Sequence, residues 1–263
     1  MIDLANIFLQ VKEITLATGA FIREERKKFS TDKIEYKGLN NLVSYVDKTS
    51  EEMIVKALEE ILPEAGFITE EETINKTGER YNWIVDPLDG TTNFIHGIPT
   101  YSISIALHEY DEPVLGVVYE INLDELFYTW KGEKAYLNGH PINVSGNKTL
   151  GESLLATGFP YYDFDKAEQY ISVFKELMQQ THGLRRIGSA AVDLAYVACG
   201  RFDGYFEFNL NAYDVAAGAY LVKQAGGTIH NFTGGDEYIN TREIVAGNGF
   251  TGDNILKITK QYF

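Results

Sequence analysis

Two aspartates, Asp86 and Asp89, stand three positions apart across a proline in the segment WIVDPLDGTTNF, Trp83 to Phe94. The β-rich run Tyr81 to Val85 delivers Asp86 at its end. Pro87 supplies no amide hydrogen and fixes its own φ, so the strand is expected to stop there, with Asp86 held extended by the proline that follows. A turn through Leu88 brings the Asp89 carboxylate back beside that of Asp86, with the Leu88 carbonyl between them. Two carboxylates so close raise one another's pKa unless a cation separates them. Oxygen-only donors select hard ions, and the five histidines form no HxxxH or HxH pair, so Mg²⁺ is favoured over zinc. The Gly-Thr-Thr that follows resembles the start of a short helix, whose amide hydrogens suit an anion such as phosphate. On these residues alone the segment is as readily a surface turn with an Asx cap as a metal site.

Two further acids stand at element ends. Glu70, in GFITEEE, closes a short apolar run, where a lone glutamate is ordinarily a solvated helix-start residue. Asp214, in YDVAAGAYLVKQAGG, has the position of a helix N-cap, and taken alone that structural role is the preferred one.

The elements that must position these acids follow from patterning. The chain has 263 residues, 44% of them hydrophobic, enough for one large domain or two interlocked halves. Its formal net charge of −15 repels phosphate backbones, which excludes non-specific binding to nucleic acid or anionic membrane and calls for cations if the substrate is anionic. Cys199 is the only cysteine, which rules out an intrachain disulfide and fits a reducing compartment, the cytoplasm by default. The opening stretch reads as an amphipathic helix ending near Lys28, not a signal peptide, and no run approaches the roughly 18 apolar residues of a membrane span.

The segment DKIEYKG predicts a short strand, and a helix follows Val46, with Asp47 at its start, Met53, Ala57 and Ile61 on one face and Pro63 as its stop. GFITE and YNWIVDP read as short strands, and YSISIALHEY, PVLGVVYE and ELFYTWKG as an antiparallel meander. Beyond about Gly146 strands and helices alternate: SLLATGF, a helix from Asp163 to Gln180, GLRRIG, the helix SAAVDLAYVACG, FDGYFE, the helix AYDVAAGAYLVKQAGG, and TIHNF. The chain is thus expected to divide into an α+β half, residues 1–146, with an antiparallel sheet and most of the candidate ligands, and an α/β half, residues 147–263, contributing Asp214.

DPLDGTTNF followed far downstream by YDVAAGAYLVKQAGG resembles the inositol monophosphatase family of Mg²⁺-dependent, lithium-sensitive sugar phosphatases. The likeness runs from about Lys37 to Asn248 and takes in LVSYVDK, FITEEE, LNGHPINVS, RRIGSAAVDLAYVACGRFDGYFE and AGNG in order. The resemblance implies a layered αβαβα sandwich of the inositol monophosphatase and fructose-1,6-bisphosphatase type, a mixed α+β and α/β fold. It implies Glu70, Asp86, the Leu88 carbonyl, Asp89 and Asp214 as ligands of two or three Mg²⁺ ions, with Asp86 bridging two of them. Thr91, oriented by Asp47, would help Glu70 hold the attacking water. Asp89, Gly90, Thr91, Thr92 and Asp214 would border the bound phosphate ester, and Gly188, Ser189, Ala190 and Glu207 would meet the sugar. Arg185 and Arg186 are candidates for extra phosphate or interface contacts, although paired arginines more often form a solvated face. Asp193 and Asp203 read as structural. Two positions depart from the usual pattern: Asn41, where many members have aspartate, and Tyr213, where tryptophan is frequent. Neither removes a ligand.

The implied activity is hydrolysis of inositol monophosphate or a similar small phosphate monoester by water, with a cytoplasmic homodimer as the expected form. Relatives with the same motif hydrolyse fructose 1,6-bisphosphate, histidinol phosphate, adenosine 3′,5′-bisphosphate or the 2′-phosphate of NADP, and the motifs separate these poorly. A catalytically silent member that binds metal or metabolites for regulation is the alternative outside enzymology. Retention of every implied ligand argues against it.

Overall fold

A computed structural model of the protein describes residues 2–30, 34–38, 41–160 and 164–263, the side chains of 34–38 and 41–43 excepted. The expectations placed on the Lys37 and Asn41 side chains and on Asp163 lie outside the described residues. The first helix, α1 (Leu4–Lys28), is capped by Asp3, which accepts from the Asn6 amide at 3.1 Å, and buries a stripe through Ile7, Val11, Thr15, Thr18 and Ile22. It ends at the expected residue. The strands β1 (Ile34–Gly38) and β2 (Asn41–Ser44) form an antiparallel hairpin leading into α2 (Tyr45–Ile61), which stops just before Pro63. The buried face of α2 is Val46, Ser50, Ile54 and Leu58, not the expected stripe of Met53, Ala57 and Ile61, which is half-buried. The helix carries apolar side chains on two adjacent stripes, and spacing alone cannot choose between them.

Next come β3 (Gly66–Thr69), β4 (Tyr81–Asp89), the short α3 (Thr91–His96), β5 (Ser102–Glu109), β6 (Glu112–Glu120), β7 (Glu125–Trp130), β8 (Tyr136–Leu137) and β9 (His140–Pro141). They make a seven-stranded sheet in chain order, antiparallel throughout except for the parallel β3–β4 pair. The remaining elements are β10 (Leu154–Thr157), α4 (Ala167–Gln180), β11 (Gly183–Arg185), α5 (Ala190–Ala198), β12 (Gly204–Phe208), α6 (Ala212–Gln224), β13 (Thr228–His230), α7 (Tyr238–Thr241), β14 (Glu243–Gly247) and α8 (Gly249–Tyr262). Their strands order as β11-β10-β12-β14-β13, with β14 antiparallel to both neighbours. Helix α4 begins at Ala167, later than the expected Asp163. Patterning also missed β14 and α8. EIVAG is five residues buried on both faces, so it shows no period-2 signal to read.

Alternation along the strands assigns their two faces to separate cores. In the large sheet Trp83, Val85, Ile105 and Val117 pack with α1 and α2, while Ile84, Ala106 and Val118 pack with α5 and α6. In the small sheet Tyr205, Ile244 and Ala246 join that second core, and Phe206 and Val245 face Tyr170, Val173, Ile255 and Ile258 of α4 and α8. Helix pair, sheet, helix pair, sheet and helix pair therefore stack as five layers, the αβαβα sandwich. No described helix is long and apolar enough to cross a membrane.

Asp203, in the turn before β12, accepts from the Ser145 hydroxyl, from the Asn147 side-chain amide at 2.9 Å and from the Leu154 amide at 2.7 Å. It fastens the chain entering the second sheet, the structural role expected of it. Asp203→Ala leaves those donors unanswered, so it is expected to cost about 2–4 kcal/mol, lowering Tm by on the order of 10 °C by calorimetry. Turnover per folded molecule should stay near that of the parent.

Candidate active site

In a regular strand Asp86 and Asp89 would face opposite sides, because side chains alternate with period two. The register explains why they do not. Asp86 pairs with Ser104 and Asp89 with Ser102, so Pro87 and Leu88 together oppose Ile103 alone. This one-residue bulge corrects the expectation that β4 ends at Asp86: pairing resumes beyond the proline, and the extra residue restores both carboxylates to one face. The Leu88 amide donates to Asp86 Oδ1 at 2.9 Å and sets the bend. Gly90 then takes φ +96°, and a Cβ there would approach the carbonyls of Thr100 and Gly188 to 3.1 and 3.2 Å.

The parallel register of β3 with β4 sets Thr69 beside Val85, so Glu70 emerges next to Asp86, near enough for its charge to raise the Asp86 pKa. No helix starts at Glu70, and it is half-buried in the site, not a solvated helix-start residue. Asp214 comes from the second half. Its expected N-cap position is corrected: Asn211 is the N-cap of α6, and Asp214, at the third helical position, accepts from the Asn211 amide at 2.5 Å. Asp47 stands identically on α2, where its Oδ2 accepts from the Ser44 amide at 2.9 Å and hydroxyl at 2.7 Å. The opposite Asp47 oxygen, Oδ1, receives the Thr91 hydroxyl at 2.8 Å, and that hydroxyl also lies 3.0 Å from the Leu88 carbonyl. The capping-box position thus commits one carboxylate oxygen to the helix and leaves its twin for the site.

Carboxylate oxygens of Asp86, Asp89 and Asp214 all lie within 4.8 Å of one another. Such hard oxygen donors fit a divalent cation of the Mg²⁺ type. Burial, then repulsion from Glu70, Asp89 and Asp214, holds the Asp86 carboxyl well above its ordinary range; burial and the charges of Asp214 and Asp47 do the same for Glu70. Burial and Asp89 push Asp214 to about 8, while burial raises Asp89 to about 6 against the opposing pull of two hydrogen bonds and Arg186. Those two donors are the Ser189 hydroxyl at 2.6 Å and the Ala191 amide at 2.7 Å, both reaching Asp89 Oδ2.

Ser189 is the N-cap of α5, and its hydroxyl is committed to Asp89. Gly188, Ser189 and Ala190, to which the resemblance gave a sugar contact, line the same cavity as the acids. Asn93, a residue to which patterning gave no role, ties the two halves of the site: its amide donates at 2.7 Å to Thr100 O and at 2.7 Å to Ile187 O. A cavity of about 230 Å³ extends from the acids past Gly90, Thr91 and Thr92 to Arg186, Asp193 and Glu207. Glu207, buried on β12, accepts the Tyr205 hydroxyl at 2.5 Å, and burial pushes its carboxyl to about 7. It fits against Gly158, where any Cβ would stand 2.0 Å from its carboxyl group. Arg185 and Arg186 are both exposed, and Arg186 also borders the cavity.

The profile of the inositol monophosphatase family matches residues 4–262. The chain belongs to this family. Within the family it is 38% identical over 256 residues to the fructose-1,6-bisphosphatase/inositol-1-monophosphatase of Aquifex aeolicus, covering 97% of this chain and 96% of that protein. It is 43% identical over 213 residues to the Nus factor SuhB of Escherichia coli, covering 81% of this chain and 80% of the relative. The crystal structure of the extragenic suppressor protein suhB from Bartonella henselae superposes with a TM-score of 0.91 at 34% identity, covering 99% of each chain. The family and its relatives' names indicate phosphatase chemistry, members are generally metal-dependent, and the acidic cluster could hold a metal.

The crowded carboxyls make stability pH-dependent. With no cation among them, each ionises at higher pH in the folded protein than in the unfolded chain, so the folded state retains extra protons between about pH 4 and about pH 8. Their contribution is complete below the ordinary carboxyl range and is lost as pH rises through the raised values. In chelator, Tm is expected to fall by on the order of 5 °C between about pH 5 and about pH 8.5. Mg²⁺ should restore it at the upper pH and change little at the lower. A flat profile in chelator would contradict the crowding.

Proposed function

We propose that the protein is a Mg²⁺-dependent phosphatase that hydrolyses inositol monophosphate or a similar small phosphorylated alcohol by direct attack of water. The observation that carries this reading is the convergence of Asp86, Asp89 and Asp214 on one volume, with Glu70 lining the same cavity and the Thr91–Asp47 pair alongside. Glu70, Asp86, the Leu88 carbonyl, Asp89 and Asp214 hold two or three ions. Bound Mg²⁺ would supply the charge that draws in the phosphate, stabilises the leaving alkoxide and acidifies the attacking water. The electrostatic demand is large, since enzymes of phosphate monoesters accelerate hydrolysis by up to about 10²¹-fold.

The chain's own groups do the positioning. Thr91 donates its single hydroxyl proton toward Asp47, which leaves its oxygen to accept from a water that Glu70 orients. The phosphate ester lies across Asp89, Gly90, Thr91, Thr92 and Asp214, and its alcohol points toward the backbone of Gly188, Ser189 and Ala190 and toward the Glu207 carboxyl. Fructose 1,6-bisphosphate, the other substrate in the Aquifex relative's name, remains in the same class, as do NADP, histidinol phosphate and adenosine 3′,5′-bisphosphate. A cytoplasmic homodimer, inhibited by lithium, completes the reading by analogy with the family.

Phosphate release from this panel under Mg²⁺ titration tests the proposal, and inertness toward every member would overturn it. Asp89→Asn retains an oxygen for Ser189 and Ala191 but removes a charge from the acidic cluster. It is expected to keep the parent fold and lower kcat by more than about 10²-fold. Water attack further requires that a single turnover in ¹⁸O-water label the released phosphate. Unlabelled product would favour a covalent aspartyl phosphate. The name carried by the E. coli relative favours a second reading, a factor role separate from catalysis. A cell that lacks the protein and is restored by the Asp89→Asn variant would support that second role.

A further inference from the structure

Helix α5 buries Ala190, Ala191, Val192, Leu194, Ala195, Val197 and Ala198, and among them a single carboxyl, Asp193, only 1% exposed. Asp193 Oδ1 has no hydrogen-bond partner among the described residues. Buried polar groups in native proteins are nearly always paired, and an unpaired carboxyl costs several kcal/mol. The structural role expected of Asp193 leaves this oxygen unanswered, in contrast to Asp203 with its three donors.

Asp193 does have an open neighbour. It lines the cavity together with Arg186 and Glu207, and it is close enough to feel the charges of Glu207, Asp89 and Arg186. Glu207 has committed one oxygen, Oε2, to Tyr205. Two carboxyl groups therefore face the same end of the cavity, each with an oxygen still able to accept a hydrogen bond. Neighbouring hydroxyls of a polyol bring O–H donors side by side, which is what a pair of carboxyl acceptors requires. A second phosphate would bring only acceptors and negative charge against them, with Arg186 as the one cation at that end.

We infer that Asp193 is a specificity-determining residue that accepts a hydrogen bond from a ring hydroxyl of the substrate, beside Glu207, and so tunes the site to neutral polyhydroxylated alcohols. The inference rests on the phosphatase reading above and deepens it. The test compares myo-inositol 1-phosphate with phenyl phosphate, which carries the same ester but no hydroxyls, for the parent, Asp193→Ala and the near-isosteric Asp193→Asn. Loss of a hydrogen bond to a carboxyl predicts a fall in kcat/KM of about 10–100-fold for the inositol ester in Asp193→Ala, against a much smaller factor for phenyl phosphate. Asp193→Asn should fall in the same direction by less, and decides the matter if the alanine variant does not fold. A fall shared equally by both substrates, or no change in their ratio, overturns the inference while leaving the phosphatase reading intact. If the parent hydrolyses neither ester the phosphatase reading fails, and calorimetric binding of myo-inositol 1-phosphate with Mg²⁺ then decides on Asp193 alone: weaker binding by the variants supports the assignment and equal affinity overturns it.

Discussion

Mutual repulsion among buried carboxylates is the constraint to which the architecture answers. Carboxylate oxygens of Asp86, Asp89 and Asp214 are brought within 4.8 Å of one another, with the charge of Glu70 acting on Asp86 as well. An unfolded chain would keep such charges apart. The fold overrides this by anchoring each acid through groups that are themselves fixed: Asp214 through the first turn of α6, Asp89 through the start of α5, Asp86 through the bulge in β4. Helices α2, α5 and α6 point their amino termini toward the cluster through Asp47, Ser189 and Asp214, and the positive ends of their dipoles lessen the repulsion. The repulsion that remains is what a cation held among these oxygens would relieve.

The five-layer stack makes that arrangement rigid. Strands buried on both faces can neither slip by one residue nor turn over without exposing an entire core, so the register that places Glu70 beside Asp86 is enforced by Trp83, Ile84 and Val85 behind them. The same frame is shared by relatives named for phosphatase activity and by relatives named as a Nus factor. Fold alone therefore does not choose a substrate or a cellular role, and the argument about this chain is carried by its side chains.

Much of this was legible in the residues. The meander from Tyr101 to Trp130, the end of α1 and the candidate ligand set all follow from patterning or from long motifs whose likeness to the family is specific. Local chemistry explains what was not legible. A bulge reads as a strand end, because proline signals only that one hydrogen bond is missing and not that pairing resumes at Asp89. Asp214 looked like an N-cap because the capping-box partner, Asn211, is itself a good cap and the two differ by one turn. The strand β14 is last in sequence yet lies between β12 and β13, a placement set by tertiary packing. Asn93 carried no signal at all, since its value lies in carbonyls that come from elsewhere in the chain.

That asparagine has a consequence for recognition. Its one amide group holds the carbonyl of Thr100 with one hydrogen and that of Ile187 with the other, while the residue itself is 4% exposed. The loop that leads into β5 and the loop that leads into α5 are thereby pinned to a single point. The spacing between these two walls of the cavity is thus set at that point by one side chain, whatever the molecule that enters.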